Sequence, residues 1–87
     1  MKTIHKFQLS RQARTEFVLP VGYKVLTVQE QGGLVTLWVL LDDEELNVRR
    51  VAFLTYFTGA PLTAYPDKYI GTVQLLGGHV IHVFEEV

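Results

Sequence analysis

Two adjacent arginines, several aromatic rings and a hydroxyl beside an exposed backbone turn could together bind a nucleotide-like anion. A guanidinium pairs with phosphate oxygens and an aromatic face stacks on a base. Arg49 and Arg50 open a strand-like segment that leads to Tyr56 and Thr58-Gly59, and Tyr65 and Tyr69 follow on a loop. The predicted ligand-binding residues are Arg49, Arg50, Tyr56, Thr58, Gly59, Tyr69 and His82. The alternative is that the arginines only protect a strand edge and aid solubility.

The remaining reactive side chains give no pattern of a catalytic or metal site. His79 and His82 are three residues apart on a predicted strand, so they point to opposite faces. Ser10 lies outside any nucleophile-elbow motif. The acidic runs Asp42–Glu45 and Glu85-Glu86 are typical of solvated surface, and the absence of cysteine excludes thiolate zinc sites. We therefore predict a protein that is not an enzyme and that uses no cofactor and no metal.

Length and charge narrow the class of protein further. The 87 residues support one β domain, residues 1–87, and the net charge of -1 argues against binding of duplex nucleic acid. No secretory signal follows Met1. The longest apolar stretch, Leu34–Leu41, is far shorter than the ~20 residues of a membrane helix. We expect a soluble cytoplasmic protein without membrane contact.

Strand-forming residues occur along almost the whole chain. Val, Ile, Thr and aromatic residues predominate, and no window shows a helical stripe. Residues 10–16 are polar and interrupt the pattern, and prolines make the stretch from Pro61 to Asp67 a loop. The predicted strands are Thr3–Leu9, a short Phe17–Leu19, Lys24–Glu30, Leu34–Leu41, Asn47–Phe57, Tyr69–Leu75 and His79–Glu86.

Two predicted hairpins resemble each other. Both turn at a glycine pair, Gly32-Gly33 and Gly77-Gly78, where positive φ is needed. Aligning Val25–Asp42 with Ile70–Val87 gives six identities in eighteen positions. Either the hairpins share one turn chemistry, or they form an internal repeat. In both cases we expect an all-β fold, a small antiparallel β-sandwich or partly open barrel of about six strands.

The strand Leu34–Leu41 is apolar on both faces, which requires cover on both sides. A chain of this length has little material with which to supply it. We therefore predict a homo-oligomer in which Trp38 and Leu40 lie at the interface. The alternative is that Trp38 sits in the core of a closed barrel.

The segments taken together resemble a family of small proteins of unknown function that is common in bacteriophage genomes. The resemblance is carried by Lys2–Phe7, Leu19–Gly22, Val28–Gln31, Leu37-Trp38, Thr58–Pro61, Tyr69–Val73 and His82–Glu85. His5 replaces a tryptophan typical of the family, and Ala60 replaces a histidine. The resemblance implies a phage origin and action in the host cytoplasm, and it transfers no catalytic residue.

Two classes of function fit these observations. The first is a homo-oligomeric, non-enzymatic phage protein that binds a host molecule, for example a counter-defence protein that sequesters a nucleotide-type signal. Within this class, the competing form is a protein–protein inhibitor of a host defence effector, acting through an apolar sheet face or a strand edge. The second class is a structural or accessory virion protein.

Overall fold

The computed structural model describes residues 1–62 and 68–86. Tyr65, Val87 and most of the predicted proline loop lie outside these residues. The described chain forms seven strands. They are β1 Lys2–Gln8, β2 Arg14–Pro20, β3 Lys24–Gln31, β4 Leu34–Asp42, β5 Val48–Phe57, β6 Lys68–Gln74 and β7 Val80–Glu86.

The strands form two antiparallel sheets, which confirms the predicted all-β fold and, of its two expected forms, favours the sandwich. One sheet has three strands in the order β1-β4-β3, and the other has four in the order β2-β5-β7-β6. The chain crosses between the sheets after β1, after β2 and after β4. The two sheets do not close into a barrel.

Strand β2 is longer than the short segment expected from the sequence, which raises the strand number from about six to seven. It begins at Arg14 because the polar stretch before Phe17 alternates between the two sheet faces. Thr15 and Phe17 face the core, whereas Arg14 and Glu16 face outward. The Arg14 guanidinium donates two hydrogen bonds, of 2.9 and 3.0 Å, to the Glu86 carboxylate on the same outer face.

The core lies between the inner faces of the two sheets. Phe53, Leu37 and Val83 are fully buried there. A row of aromatic rings joins the sheets, since Phe7 of β1 lies 5.2 Å from Phe17 of β2, which lies 6.1 Å from Phe53 of β5, centroid to centroid. Each fully buried apolar side chain of this size contributes about 1.5–3 kcal/mol to folding.

The two glycine-pair hairpins are both present, but their connections differ. In the first, Gln31 pairs with Leu34, so Gly32 and Gly33 form a two-residue turn with φ values of 62° and 83°. Positive φ at both central residues is the requirement of this turn, and glycine meets it without strain. In the second, Gln74 pairs with Val80, so residues 75–79 form the connection.

This difference in length shifts the register of β7 by one residue relative to β4. Val28 and Val73 are both buried on first strands, as the alignment predicts. Val35 faces the core from β4, however, whereas the aligned Val80 lies on the outer face of β7. A one-residue shift exchanges the two faces of a strand. The structure therefore argues against an internal repeat, and the two hairpins share only the positive φ of their glycine pairs.

The sheets approach each other most closely where β3 meets β6. Gly71 lies there, and a Cβ at this position would be 2.7 Å from the Cγ1 of buried Val28. A larger residue at this position must displace the Val28 side chain, which is costly because protein interiors are close-packed. Gly71 is thus required by packing between the sheets.

We predict that Gly71→Ala lowers the free energy of unfolding by about 1–3 kcal/mol through overpacking. Urea denaturation measures the change. Val28→Ala removes the atom that the new Cβ would meet, so Gly71→Ala should have a smaller effect in a Val28→Ala background. Equal effects in both backgrounds would show that the close approach is not what requires glycine.

Candidate functional site

Four of the predicted ligand-binding residues come together on the outer face of the four-stranded sheet. Tyr56, Thr58, Tyr69 and His82 are brought together from β5, the turn that follows it, β6 and β7. With two residues that sequence reasoning did not select, they form a group that we call the His82 cluster. Its members are Tyr56, Thr58, Tyr69, Thr72, His82 and Phe84.

A chain of hydrogen bonds runs through the His82 cluster. The Tyr69 hydroxyl lies 2.6 Å from Thr72 Oγ1, which lies 3.0 Å from His82 Nδ1. The other ring nitrogen, Nε2, lies 2.7 Å from Thr58 Oγ1. Hydroxyl groups both donate and accept, so either neutral tautomer of the ring completes the chain. The imidazole is therefore held in place by its own neighbours.

Aromatic rings form the rest of the His82 cluster. Phe84 lies between Tyr56 and Tyr69, at centroid distances of 6.0 and 5.4 Å and with edge-on geometry. Tyr69 is exposed over 58% of its surface. The cluster thus offers solvent a partly exposed aromatic surface whose polar groups already bond one another. Such a surface suits contact with a planar ring.

The two arginines do not join this cluster. Arg50 shares its sheet face but precedes Tyr56 by six residues, about 20 Å along the strand. The Arg49 guanidinium lies 5.8 Å from the centroid of the Tyr23 ring. Both arginines line a depression of about 150 Å³ together with Glu16 and Glu86. Gly59, with φ of 87°, lies in the turn that ends β5.

A larger cavity, of about 600 Å³, opens at the end of the sandwich where both glycine-pair hairpins turn. It lies among the β1–β2 connection, the β3–β4 turn, the end of β5 and the β6–β7 connection. Among the sequence-predicted ligand residues that the structure describes, Tyr56 alone lines it. The described lining residues are Leu9, Ser10, Arg11, Ala13, Gly33, Leu34, Val35, Thr55, Tyr56, Phe57, Ala60, Pro61, Leu75, Leu76, His79 and Ile81.

The cavity has an apolar base and a more polar rim. Leu9, Val35 and Ile81 are buried at 3, 9 and 6% exposure. Arg11 and His79 are exposed lining residues, and the His79 ring contacts Phe57 edge-on at 5.9 Å. Sequence reasoning missed this site because its lining comes from separate parts of the chain that share no local motif. The surplus of apolar residues was the only signal.

The structure corrects the expectation that Glu85 and Glu86 are both solvated. Glu86 is on the outer face, where Arg14 lowers the pKa of its carboxyl group. Glu85 faces the core with 5% exposure and accepts a hydrogen bond from the Tyr23 hydroxyl. Its other oxygen, Oε1, has no partner among the described residues. Burial, reinforced by this hydrogen bond, raises the pKa of Tyr23 to about 12.

The predicted oligomer residues lie on the outer face of the three-stranded sheet. Trp38 and Leu40 are both partly buried there. Lys6 of β1 pairs with Trp38, and Ile4 pairs with Leu40. Ile4 is 54% exposed. This face therefore presents an apolar centre with a lysine beside it.

We predict that Tyr23→Phe destabilises the protein by about 1–3 kcal/mol at neutral pH, because both Glu85 oxygens then lack a hydrogen bond. Folding favours the protonated phenol, so the wild type loses this stability as the pH rises from about 10 to about 12. The two proteins should therefore converge in that window when unfolded with urea. Tyr69→Phe controls for general alkaline effects, and a constant difference at every pH would refute the linkage.

The described residues include no helix long and apolar enough to cross a membrane. Within the same residues, no group of three or more metal-ligating side chains could hold a metal ion.

Comparison with known proteins assigns the chain to a family. Neither the curated proteins nor the solved structures contain a match. The family model "Domain of unknown function (DUF7352)" matches residues 1–87, so the chain belongs to that family.

Proposed function

We propose that this is a non-catalytic binding protein that holds a small molecule in the cavity at the turn end of the sandwich. The observation that carries the proposal is the cavity itself. Its volume of about 600 Å³ is within the range of ligand pockets, roughly 300–1,000 Å³. Its lining combines an apolar base with a few polar groups at the rim, which is the usual composition of such pockets.

Physical chemistry favours occupation of this cavity. The free energy of the system falls when an apolar ligand displaces water from the apolar base. The buried side chains of Leu9, Val35 and Ile81 supply that base. His79 at the lining can orient the ligand through a hydrogen bond, whereas the Ser10 and Thr55 hydroxyls already bond Thr15 Oγ1 and the Gln12 carbonyl. Binding by this route requires no reaction, which agrees with a protein that sequesters its ligand.

The family resemblance supports a role for the protein in phage infection. In this proposal the chain is phage-encoded and acts in the host cytoplasm, where it removes a host small molecule used in defence. A nucleotide-type signal is the second candidate ligand, and the aromatic rings of the His82 cluster favour it. For such a ligand Tyr56 and Tyr69 would contact the base.

The proposal predicts saturable binding of an apolar probe. Nile red, a neutral dye that fluoresces in apolar surroundings, should bind one site per chain. Ala13 lines the cavity, and its carbonyl accepts the Thr55 N–H at 2.9 Å, a bond that a new side chain leaves in place. Ala13→Trp should occupy the cavity and weaken dye binding by about tenfold or more. Fluorescence titration measures both affinities.

Val18→Trp is the matched control, because Val18 is 61% exposed on the outer face of β2. It should leave dye affinity unchanged. Native mass spectrometry of protein purified from lysate-exposed cells tests the same site for a retained ligand. Absence of saturable dye binding, together with no retained mass, would overturn the proposal.

We propose further that the chain self-associates through the outer face of the three-stranded sheet. The apolar centre formed by Trp38, Leu40 and Ile4 supports this arrangement. Aromatic side chains in the centre of an interface commonly contribute most of its binding energy. Subunits joined in this way would leave the cavity at the end of each sandwich open.

Light scattering tests the self-association. The wild type should have the mass of an oligomer, and Trp38→Gln should shift it to the monomer because the central aromatic contact is lost. Val18→Gln, on the outer face of the other sheet, should keep the mass of the wild type. A monomeric wild type, or a Trp38→Gln variant of unchanged mass, would exclude this interface.

A further inference from the structure

The described residues that line the cavity include a positively charged side chain and no negatively charged one. Arg11 is the one lysine, arginine, aspartate or glutamate among its described lining residues. No carboxylate is among those residues. Arg11 is exposed, and none of the ion pairs formed by the described residues includes it. The described lining residues therefore include one cationic side chain and no carboxylate, and Glu30 Oε1 accepts the N–H of the lining residue Gly33 at 2.9 Å.

Arg11 differs in this respect from the other arginine of the β1–β2 region. Arg14 binds Glu86 and Glu16 on the outer face, so its donors are occupied. Arg11 has a planar set of five N–H donors, and none of them bonds another described residue. A guanidinium in this state pairs well with a carboxylate or a phosphate, because two parallel hydrogen bonds can form.

The base of the cavity favours an apolar group rather than an anionic one. Leu9, Val35 and Ile81 are aliphatic and carry no side-chain donor or acceptor. A polar group pushed against them would lose its hydrogen bonds with water and gain none. The ligand segment that enters deepest must therefore be apolar.

From these two properties, and resting on the proposed function, we infer that the ligand is a small amphipathic anion. Its apolar body lies on the aliphatic base, and its anionic end reaches Arg11 at the rim. A molecule with a cationic end is disfavoured by the same guanidinium. A neutral molecule of equal length keeps the apolar contact and lacks the ion pair.

Matched ten-carbon probes separate the contributions of body and head group. Decanoate, decanol and decylamine share an alkyl chain and differ in charge, and each is used below its micelle-forming concentration. In Nile red displacement, decanoate should bind about tenfold more tightly than decanol, because a charge-assisted hydrogen bond replaces a neutral one. Decylamine should bind most weakly. Adenosine monophosphate tests an anion with a polar aromatic body and should displace little dye.

Arginine variants test the role of the guanidinium. Arg11→Gln should reduce the preference for decanoate over decanol to about twofold or less while leaving decanol affinity unchanged. Arg11→Lys retains the charge and should restore part of the preference. Lys2→Gln, which removes a positive charge from an exposed residue at the start of β1 outside the cavity lining, is the control and should keep the full preference.

The outcomes distinguish this inference from the proposed function. If neither Nile red nor any alkyl probe binds, the cavity is not a ligand site and both fail. If decanol and decanoate bind equally, or Arg11→Gln leaves the preference intact, the anionic end is wrong while the cavity remains a ligand site. If adenosine monophosphate displaces the dye better than decanoate, the apolar body is wrong.

Discussion

The close approach of β3 to β6 is the constraint on which the arrangement of the two sheets depends. Gly71 gives Val28 the space that a side chain would fill, so these two strands meet at one corner of the sandwich. The row of rings from Phe7 to Phe53 joins the sheets through the core. The cavity lies at the end of the sandwich where both glycine-pair hairpins turn, and residues of both sheets line it.

The fold distributes its polar and aromatic side chains over three surfaces, two of which share Tyr56. The His82 cluster occupies the outer face of one sheet, the Trp38 surface occupies the outer face of the other, and the cavity lies between them at one end. Because side chains along a β-strand alternate between the two faces of the sheet, residues adjacent in sequence lie on different surfaces. Arg49 and Arg50 illustrate this, since one lies over Tyr23 and the other lies on the outer face. A short chain thereby offers distinct contacts without forming one complex site.

Local pattern predicted most of the fold and only part of the site. Alternation and glycine pairs were sufficient for the strands and hairpins, because both depend on neighbouring residues. The start of β2 was not predicted, because the outward-facing Arg14 pairs with Glu86, which is distant in sequence. The burial of Glu85 was missed for the same reason, as Tyr23 is its partner. The cavity is lined by residues that are distant from one another in sequence, so no single segment could predict it.

The connection between β6 and β7 helps to set which face of β7 is exposed to solvent. Residues 75–79 set a register in which Ile81 and Val83 are buried and His82 lies outside. A slip of one residue in the pairing of β7 would turn the strand over, placing an imidazole in the core and two aliphatic side chains in solvent. A slip of two residues would preserve the alternation. Because β7 pairs with β5 on one side and with β6 on the other, both neighbours hold it to the same choice of face.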